Sequence, residues 1–234
     1  MLVLRPPLPL PPRLTDAQLQ LRFSLPLKPA PVRLEGRFVH LAPLDVARDA
    51  AALLAVSNGE PARLRDRYVD RYDAEELIWR YMFGGPYENL DQFRRELERQ
   101  RDAPNALCLC VFDAASGQQV GAASFMNNSP DNLKIELGSI WYSPLVQRTL
   151  ANTEATYLML RHAFELGYRR VEWKCHSDNH RSRRAALRMG FRFEGIQEMH
   201  MIVKERSRDT AWFRILANEW ADAKLHLESQ LAAA

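Results

Sequence analysis

The stretch IELGSIWYSPLVQRTLANTEA, from Ile135 to Ala155, predicts a strand, a tight loop and the first turn of a helix. Through Tyr142 it is interpreted as a strand of period two, with odd-numbered side chains on one side and even-numbered ones, Glu136 among them, on the other. Ser143-Pro144 ends the strand, because proline lacks an N–H and restricts the preceding residue. Apolar residues then recur with a helical period, at Ala155, Leu158, Met159, Ala163 and Leu166.

A strand, a tight loop and a helix N-terminus together predict an anion-binding site. The first N–H groups of a helix have no partner inside it, and the helix dipole adds positive potential there. We expect the backbone from Arg148 to Thr153 to supply these donors. Asn152 or Thr153 is the predicted N-cap, and Glu154 suits the positive first turn. The simpler alternative is a helix start that binds no ligand.

Four motifs in this order resemble the GNAT superfamily of acetyl-CoA-dependent N-acetyltransferases. The run Gln147 to Ala155 looks like the family's pyrophosphate loop, whose usual pattern is Gln/Arg-x-x-Gly-x-Gly/Ala, but Leu150 and Asn152 replace the small residues. The resemblance extends from Val32 to Trp220. The later motifs are similar to the branch that contains the ribosomal-protein N-terminal acetyltransferases: Trp173-Lys174-Cys175, Asn179-x-x-Ser182-Arg183, Gly190-Phe191-x-Phe193-Glu194-Gly195, and Arg208-Asp209-Thr210-Ala211-Trp212 with Glu219-Trp220.

The order of predicted elements favours a single mixed α/β domain. The resemblance implies a central mixed, mostly antiparallel sheet that splays between two parallel strands, with helices on both faces and acyl-CoA entering the split. We expect a Pro-rich arm at residues 1–31, the GNAT domain at 32–220 and a helical tail at 221–234. The arm is either disordered or a strap across the domain or a partner subunit, which leaves a homodimer open.

Composition excludes several classes of protein. The net charge of +3 is accounted for by the arm, so the rest is neutral, which disfavours a nucleic-acid binder. No apolar run approaches the roughly 20 residues that span a bilayer, so we expect no membrane partner. Three cysteines without a nearby histidine at ligand spacing predict no metal site and buried free thiols in a cytoplasmic protein; they are Cys108, Cys110 and Cys175.

Three local predictions concern segments around the site. Residues 60–72 are charged and predicted to be a loop. Asp73 is predicted to cap a helix over Ala74 to Met82, which Gly84-Gly85-Pro86 ends. Arg208-Asp209 is predicted to form a turn with an internal ion pair, which is worth little if exposed.

Acetyl transfer to an amine requires a neutral nucleophile, a polarised thioester and a proton for the departing thiolate. Glu136 is the predicted general base, acting through a water because an ordinary carboxylate does not easily deprotonate an ammonium directly. Its alternative is a solvent-facing strand residue. The resemblance implies that Ser182 lies near the thioester sulfur, while many relatives carry a tyrosine acid where this chain has Ala186. The acid is therefore Ser182 or water, or the thiolate leaves unassisted.

The remaining site predictions form two sets. Backbone N–H groups from Ile140 to Tyr142 are expected to polarise the thioester carbonyl. The resemblance implies that Asn179 faces the pantetheine arm, and the alternative is that it is a plain helix cap. The predicted cofactor-binding residues are Ile140, Trp141, Tyr142, Gln147, Arg148, Thr149, Leu150, Ala151, Asn152, Thr153, Asn179 and Arg183. The predicted acceptor-side residues, with core or lid packing as the alternative for the aromatic ones, are Tyr81, Phe83, Tyr87, Glu194 and His200.

The sequence leaves the acceptor open between a peptide or protein N-terminus and a small-molecule amine. A second function remains beside acetyl transfer from acetyl-CoA: a GNAT-like domain that binds CoA with little or no turnover, for example in regulation. The unusual loop residues Leu150 and Asn152 and the missing tyrosine favour that alternative.

Overall fold

The computed structural model describes residues 10–233, so the predictions on the first residues of the arm lie outside the described part. Within that part the arm forms α1, Asp16–Ser24, and Thr15 caps it: the Gln18 N–H donates to Thr15 Oγ1 over 3.2 Å. The segment after α1 lies across the domain, where Asn128 Nδ2 donates to the carbonyls of Pro26 and Leu27. Of the two alternatives for the arm, disorder or a strap, the described residues form a strap across the domain.

The first half of the domain contains four short strands and two helices. These elements are β1 (Leu34–Glu35), β2 (Val39–Pro43), α2 (Val46–Ala55), β3 (Ala62–Leu64), β4 (Arg67–Val69) and α3 (Leu90–Asp102). The prediction of a loop over residues 60–72 is wrong, because β3 and β4 pair as a small antiparallel hairpin. The predicted helix after Asp73 is replaced by a π-helical turn, Glu75–Trp79, although Asp73 Oδ1 does accept the Glu76 N–H.

The second half supplies most of the central sheet. Its elements are β5 (Leu107–Asp113), β6 (Gln119–Ser129), β7 (Lys134–Tyr142), α4 (Ala151–Glu165), β8 (Arg170–His176), α5 (His180–Arg188), β9 (Arg192–Val203), β10 (Arg206–Leu216) and α6 (Trp220–Ala232). The eight strands are ordered β1-β2-β5-β6-β7-β8-β10-β9. One apolar core lies between the sheet, α4 and α6, and a second lies between the sheet, α2 and α3.

Only β7 and β8 pair in parallel among the described strands, as the strand–helix–strand order predicts. Their register ends after the third pair, Glu136 with Glu172, although both strands continue. The two strands therefore separate towards their C-terminal ends. This confirms the mixed α/β sheet that splays between its parallel strands.

A β-bulge in β7 changes the predicted alternation of side chains. Gly138 pairs with Ser124 and Trp141 with Ala122, so two residues of β7 oppose one of β6. Ser139 takes a left-handed backbone, φ 49°. The odd and even faces hold as predicted through Gly138 and reverse beyond the bulge, because Trp141 enters the core beside α3 and Tyr142 the core beside α4.

The predicted turn at Arg208-Asp209 is wrong. Both residues belong to β10, which forms a long hairpin with β9, and the chain reverses at Lys204 and Glu205, both left-handed. The ion pair predicted between Arg208 and Asp209 does not form, since Asp209 Oδ1 accepts the Met199 N–H over 2.7 Å. Arg208 is thereby free to contribute its side chain to another part of the molecule.

The cysteines are buried free thiols, as predicted. No helix within residues 10–233 is long and apolar enough to cross a membrane. Over the same residues, no three histidine, cysteine, aspartate or glutamate side chains come together as metal ligands.

Candidate active site

The separation of β7 from β8 opens a cleft of about 100 Å³. Its walls come from β6, from β7 and its bulge, from β8, from the start of α5, from the segment after the π-helical turn and from β10. Because six segments meet here, the cleft collects predicted site residues from both sets. Those that line it are Tyr81, Phe83, Glu136, Ile140, Asn179 and Ser182.

Glu136 is a buried carboxylate, only 2% exposed, which excludes the solvent-facing alternative. Its Oε2 lies 2.9 Å from Lys174 Nζ and accepts a hydrogen bond of 2.8 Å from Asn127 Nδ2. Burial raises the pKa of Glu136 above its ordinary value, and the Lys174 cation and the Asn127 amide oppose that shift. A carboxyl whose pKa is raised accepts a proton near neutral pH more readily than an ordinary one.

The second oxygen of Glu136 is available to a ligand. Within residues 10–233, Oε1 receives no hydrogen bond and no ion pair. It lies beside Gly138, where a Cβ atom would come within 3.0 Å of Oε1 and 2.3 Å of Met126 Sδ. Glycine at this position therefore leaves room for the carboxylate at the base of the cleft.

Asn179 and Ser182 lie together at the start of α5. Asn179 Oδ1 accepts the Ser182 N–H over 3.0 Å, so Asn179 is the helix cap as well as part of the cleft wall. Ser182 Oγ accepts a hydrogen bond of 3.0 Å from Trp173 Nε1, which fixes the oxygen and leaves the hydroxyl proton to donate. Arg183 is turned away from the cleft: it donates to the Ser177 carbonyl.

The loop before α4 adopts a conformation that the sequence did not predict. The helix begins at Ala151 with Leu150 in the N-cap position, so the prediction of Asn152 or Thr153 as the cap is wrong, and both lie in the first turn. Arg148 is the left-handed residue of the loop, with φ 61°, whereas Leu150 has φ −76°. The left-handed backbone, which costs about 1–2 kcal/mol in a residue other than glycine, is therefore adopted by Arg148 and not by Leu150.

Some of the loop amides are used internally and others are not. The Thr149 N–H donates to the Val146 carbonyl, and the Ala151 N–H donates to Thr149 Oγ1. Within residues 10–233 four backbone N–H groups of the loop and first turn have no acceptor, those of Arg148, Leu150, Asn152 and Thr153. Of these four residues Arg148 is exposed, Leu150 and Asn152 are half-buried, and Thr153 is buried. This donor set fits a diphosphate.

Three predicted cofactor-binding residues next to the loop, Gln147, Trp141 and Tyr142, lie among other parts of the protein. Gln147 Nε2 donates to the carbonyls of Tyr142 and Leu77, which ties the loop to the segment on the far wall of the cleft. Trp141 packs against Trp79, with ring centroids 5.1 Å apart. The hydroxyl of Tyr142 is buried without a hydrogen-bond partner in the described structure, and burial raises its pKa.

The predicted acceptor-side residues separate into two groups. Tyr81 and Phe83 line the cleft, and Tyr87 lines a smaller pocket beside it, against Trp79. Glu194 lies outside the cleft lining, where the Arg170 hydrogen bond lowers its pKa. His200 is also outside, with Nδ1 2.9 Å from Thr210 Oγ1.

Three charged or polar residues of the site were missed by sequence reasoning: Asn127, Lys174 and Arg208. Lys174 lies two residues beyond Glu172, the register partner of Glu136, and strand residues two apart share a face. The register of the parallel pair would therefore have placed Lys174 beside Glu136. Arg208 was missed because it was assigned to a turn.

Comparison with known proteins gives a consistent result. The family model described as acetyltransferase (GNAT) domain matches residues 41–192. The chain is 40% identical to a GCN5-related N-acetyltransferase from Brucella melitensis, over 86% of each chain and with a TM-score of 0.78. It is 33% identical to a probable acetyltransferase of the GNAT family from Chromobacterium violaceum, over 93% of this chain and 100% of that one, with a TM-score of 0.77.

A more distant structure shares the fold alone. It is the acetyl transferase that modifies the N-terminal serine of the 50S ribosomal subunit protein L7/L12 of Salmonella typhimurium, 17% identical over 79% of this chain and 99% of that one, with a TM-score of 0.63. No curated protein matches the chain significantly.

Proposed function

The chain belongs to the GNAT acetyltransferase family, and from that premise we propose that it transfers the acetyl group of acetyl-CoA to a primary amine by direct attack in a ternary complex. The acceptor is a small molecule or a peptide. One observation carries the proposal: the buried Glu136 carboxylate lies at the base of the cleft between β7 and β8. The three buried free thiols support a reducing, cytoplasmic location.

The chain offers two sets of groups to acetyl-CoA, which supplies the activated acyl group as a thioester when bound. The four unpaired amides of the loop and the first turn of α4 would bind the diphosphate, and the exposed Arg148 side chain would add a charge-assisted contact. Asn179, on the cleft wall, would contact the pantetheine arm.

Glu136 would accept the proton of the amine through a bound water. Its Oε2 is held by Lys174 and Asn127, which leaves Oε1 to orient the water. Burial raises the pKa of the Glu136 carboxyl and so brings it closer to the pKa of the ammonium that gives up the proton, which makes proton transfer easier. Backbone N–H groups at the bulge, next to Ile140, would polarise the carbonyl, since a bulge takes its residue out of the strand ladder.

The proton for the thiolate would come from Ser182 or from water. Trp173 Nε1 donates to the Ser182 oxygen and orients the hydroxyl, which also lies beside the Cys175 thiol. Ala186, at the position where many relatives carry a tyrosine, is fully buried and has no acidic group. A thiolate is a good leaving group, so a weak acid or water suffices.

A transfer assay with unbiased product detection tests the proposal. The protein would be incubated with labelled acetyl-CoA and a panel of amines and peptides, with thiol release and product mass measured together. Thiol release that depends on an amine, with a product heavier by one acetyl group, supports acetyl transfer. Tight binding of CoA without thiol release for any amine would favour the CoA-binding domain, which Leu150, Asn152 and Ala186 make the second candidate.

A further inference from the structure

Arg208 is a buried cation on the wall of the cleft that has no ion-pair partner among the described residues. The residue is 4% exposed, and its Nε is buried with no hydrogen-bond partner. Within residues 10–233 the guanidinium forms no ion pair, and its contact is with the Phe83 ring, 4.8 Å from Cζ to the ring centroid. An ion removed from water is costly unless an opposite charge or hydrogen-bond acceptors replace the water.

The other charges near Arg208 are already matched. Glu136 is paired with Lys174 at 2.9 Å, so the two contribute no net charge to the cleft. Asp209, the adjacent acidic residue, is bound to the Met199 N–H on β9. The charged side chains that line the described cleft, Glu136, Lys174 and Arg208, therefore sum to one positive charge. Burial lowers the pKa of Arg208, and the nearby Glu136 carboxylate opposes that shift.

We propose that Arg208 binds a carboxylate on the acceptor, so that the acceptor is an amine that also carries a carboxylate. The proposal rests on the proposed acetyl transfer and narrows its substrate class. A guanidinium is a planar fork that pairs with a carboxylate through two parallel hydrogen bonds. A single negative charge also balances the single unmatched positive charge, which a doubly charged phosphate would not.

Acetyl-CoA would reach this cleft at Asn179 and Ser182 of α5, whereas Arg208 contacts Phe83, a predicted acceptor-side residue, which assigns Arg208 to the acceptor. Arg208 lies against Phe83, in the aromatic wall formed by Tyr81 and Phe83. The loop amides suited to a diphosphate, from Arg148 to Thr153, do not line this cleft. The same cleft thus presents Glu136 to the amine and Arg208 to the carboxylate, which matches an amino acid or the acidic start of a peptide.

The test compares matched acceptors on wild type, Arg208→Gln and Arg208→Lys. One arm uses free amino acids and their amides; the other uses C-terminally amidated peptides that begin with Asp or Asn. All are compared at equal concentrations of unprotonated amine. We expect wild type to prefer the carboxylate form by about 10-fold or more in kcat/KM in one arm, which identifies the source of the carboxylate. Arg208→Gln should abolish the preference, and Arg208→Lys should retain part of it.

Equal preference in wild type and Arg208→Gln would overturn the proposal, and so would a wild-type preference for the amides in both arms. The affinity for acetyl-CoA should be unchanged in Arg208→Gln, and its Tm should be equal or higher because a lone buried charge is removed. If that variant does not fold, the Tm of wild type bound to CoA is measured in the presence of N-acetylglycine and in the presence of N-acetylglycinamide. A larger Tm increase with the acid supports the proposal, and equal increases reject it.

Failure of this proposal is distinguishable from failure of acetyl transfer. An enzyme that acetylates amines with no preference for a carboxylate keeps the proposed function and loses the role of Arg208. A protein that neither binds acetyl-CoA nor releases thiol with any amine loses both.

Discussion

Two regions of the molecule bury a charge in opposite ways. In the core beneath β1 and β2, the Glu154 carboxylate of α4 accepts backbone N–H bonds from Arg37 at 2.8 Å, Phe38 at 2.6 Å and Val39 at 2.8 Å. In the cleft, Arg208 has no hydrogen bond or ion pair from the described residues. Both are nearly inaccessible, at 5% and 4% exposure.

The comparison distinguishes a buried charge that stabilises the fold from a buried charge that can bind a ligand. Glu154 is satisfied by the fold itself, because the turn between β1 and β2 closes around its two oxygens. Glu136 is intermediate, with one oxygen bound by Lys174 and Asn127 and the other without a partner. Glu136 Oε1 and the Arg208 guanidinium, which the described residues leave without partners, belong to side chains that line the split of the sheet, where a ligand can satisfy them.

The largest expected effect is on catalysis at the cleft. Glu136→Gln should lower kcat/KM by about 100-fold or more at neutral pH, the usual contribution of a general base. Since burial raises the pKa of Glu136, the wild-type rate should fall on acidification at a higher pH than an ordinary carboxyl would give. The deficit of the variant should shrink at high pH, where the amine is already neutral. The pH–rate profiles of both proteins test this.

Glu172→Gln is the matched control for that experiment. Glu172 is buried to a similar extent and is the register partner of Glu136, but it pairs with Lys134 and Arg170 outside the cleft lining. Its replacement should leave the shape of the pH–rate profile unchanged. A profile of Glu136→Gln parallel to wild type would remove Glu136 as the base.

The next effect is on stability in the core region. Glu154→Gln should lower the free energy of unfolding by about 3 kcal/mol, because a neutral amide cannot accept all three N–H bonds and hydrogen bonds to a charge are the stronger ones. Urea unfolding measures the loss. The control is Glu165→Gln on the same helix, an exposed partner of Arg161 at 3.9 Å, which should change stability by about 0.5 kcal/mol or less. Equal losses in the two variants would contradict the structural role of Glu154.

A smaller effect is expected for one free amide at the start of α4. Asn152→Pro removes a backbone N–H in the first turn, where proline is tolerated best, and should weaken acetyl-CoA binding about 10-fold. Asn152→Ala keeps the N–H and should bind like wild type. Calorimetric titration of the two variants, with melting curves to confirm folding, measures the difference. Equal affinities would show that this amide does not bind the cofactor.

The smallest effect concerns the partner of Glu136. Lys174→Met removes the cation that favours the ionised carboxylate, so the acid limb of the pH–rate profile should move to higher pH. Lys134→Met is the control, because Lys134 pairs with Glu172 and should leave the limb in place. A limb that stays fixed in Lys174→Met would mean that another group titrates.

Sequence reasoning predicted the parallel pair of strands from periodicity and element order, whereas the split between them was implied by the family resemblance. The alternation through Gly138, the loop after Ser143-Pro144 and the strand–helix–strand order suffice for a parallel pair with a helix N-terminus beside it. Burial of Glu136 follows from this sheet only once the register is known.

The missed features share a physical cause. Ser139, Arg148, Lys204 and Glu205 adopt left-handed backbones without glycine, so the bulge, the loop and the β9–β10 turn gave no local signal. Without that turn, Arg208 could not be assigned to a strand beside the cleft. Tertiary contacts hold these residues in conformations that their own side chains disfavour.

Titration of the wild-type protein with acetyl-CoA in a calorimeter tests the central claim most directly: that the open amides of the α4 loop and the split sheet together bind this molecule. We predict saturable binding of one acetyl-CoA per chain, with a Kd in the micromolar range, about −8 kcal/mol. No saturable heat at acetyl-CoA concentrations of hundreds of micromolar, about 100 times that Kd, would contradict it.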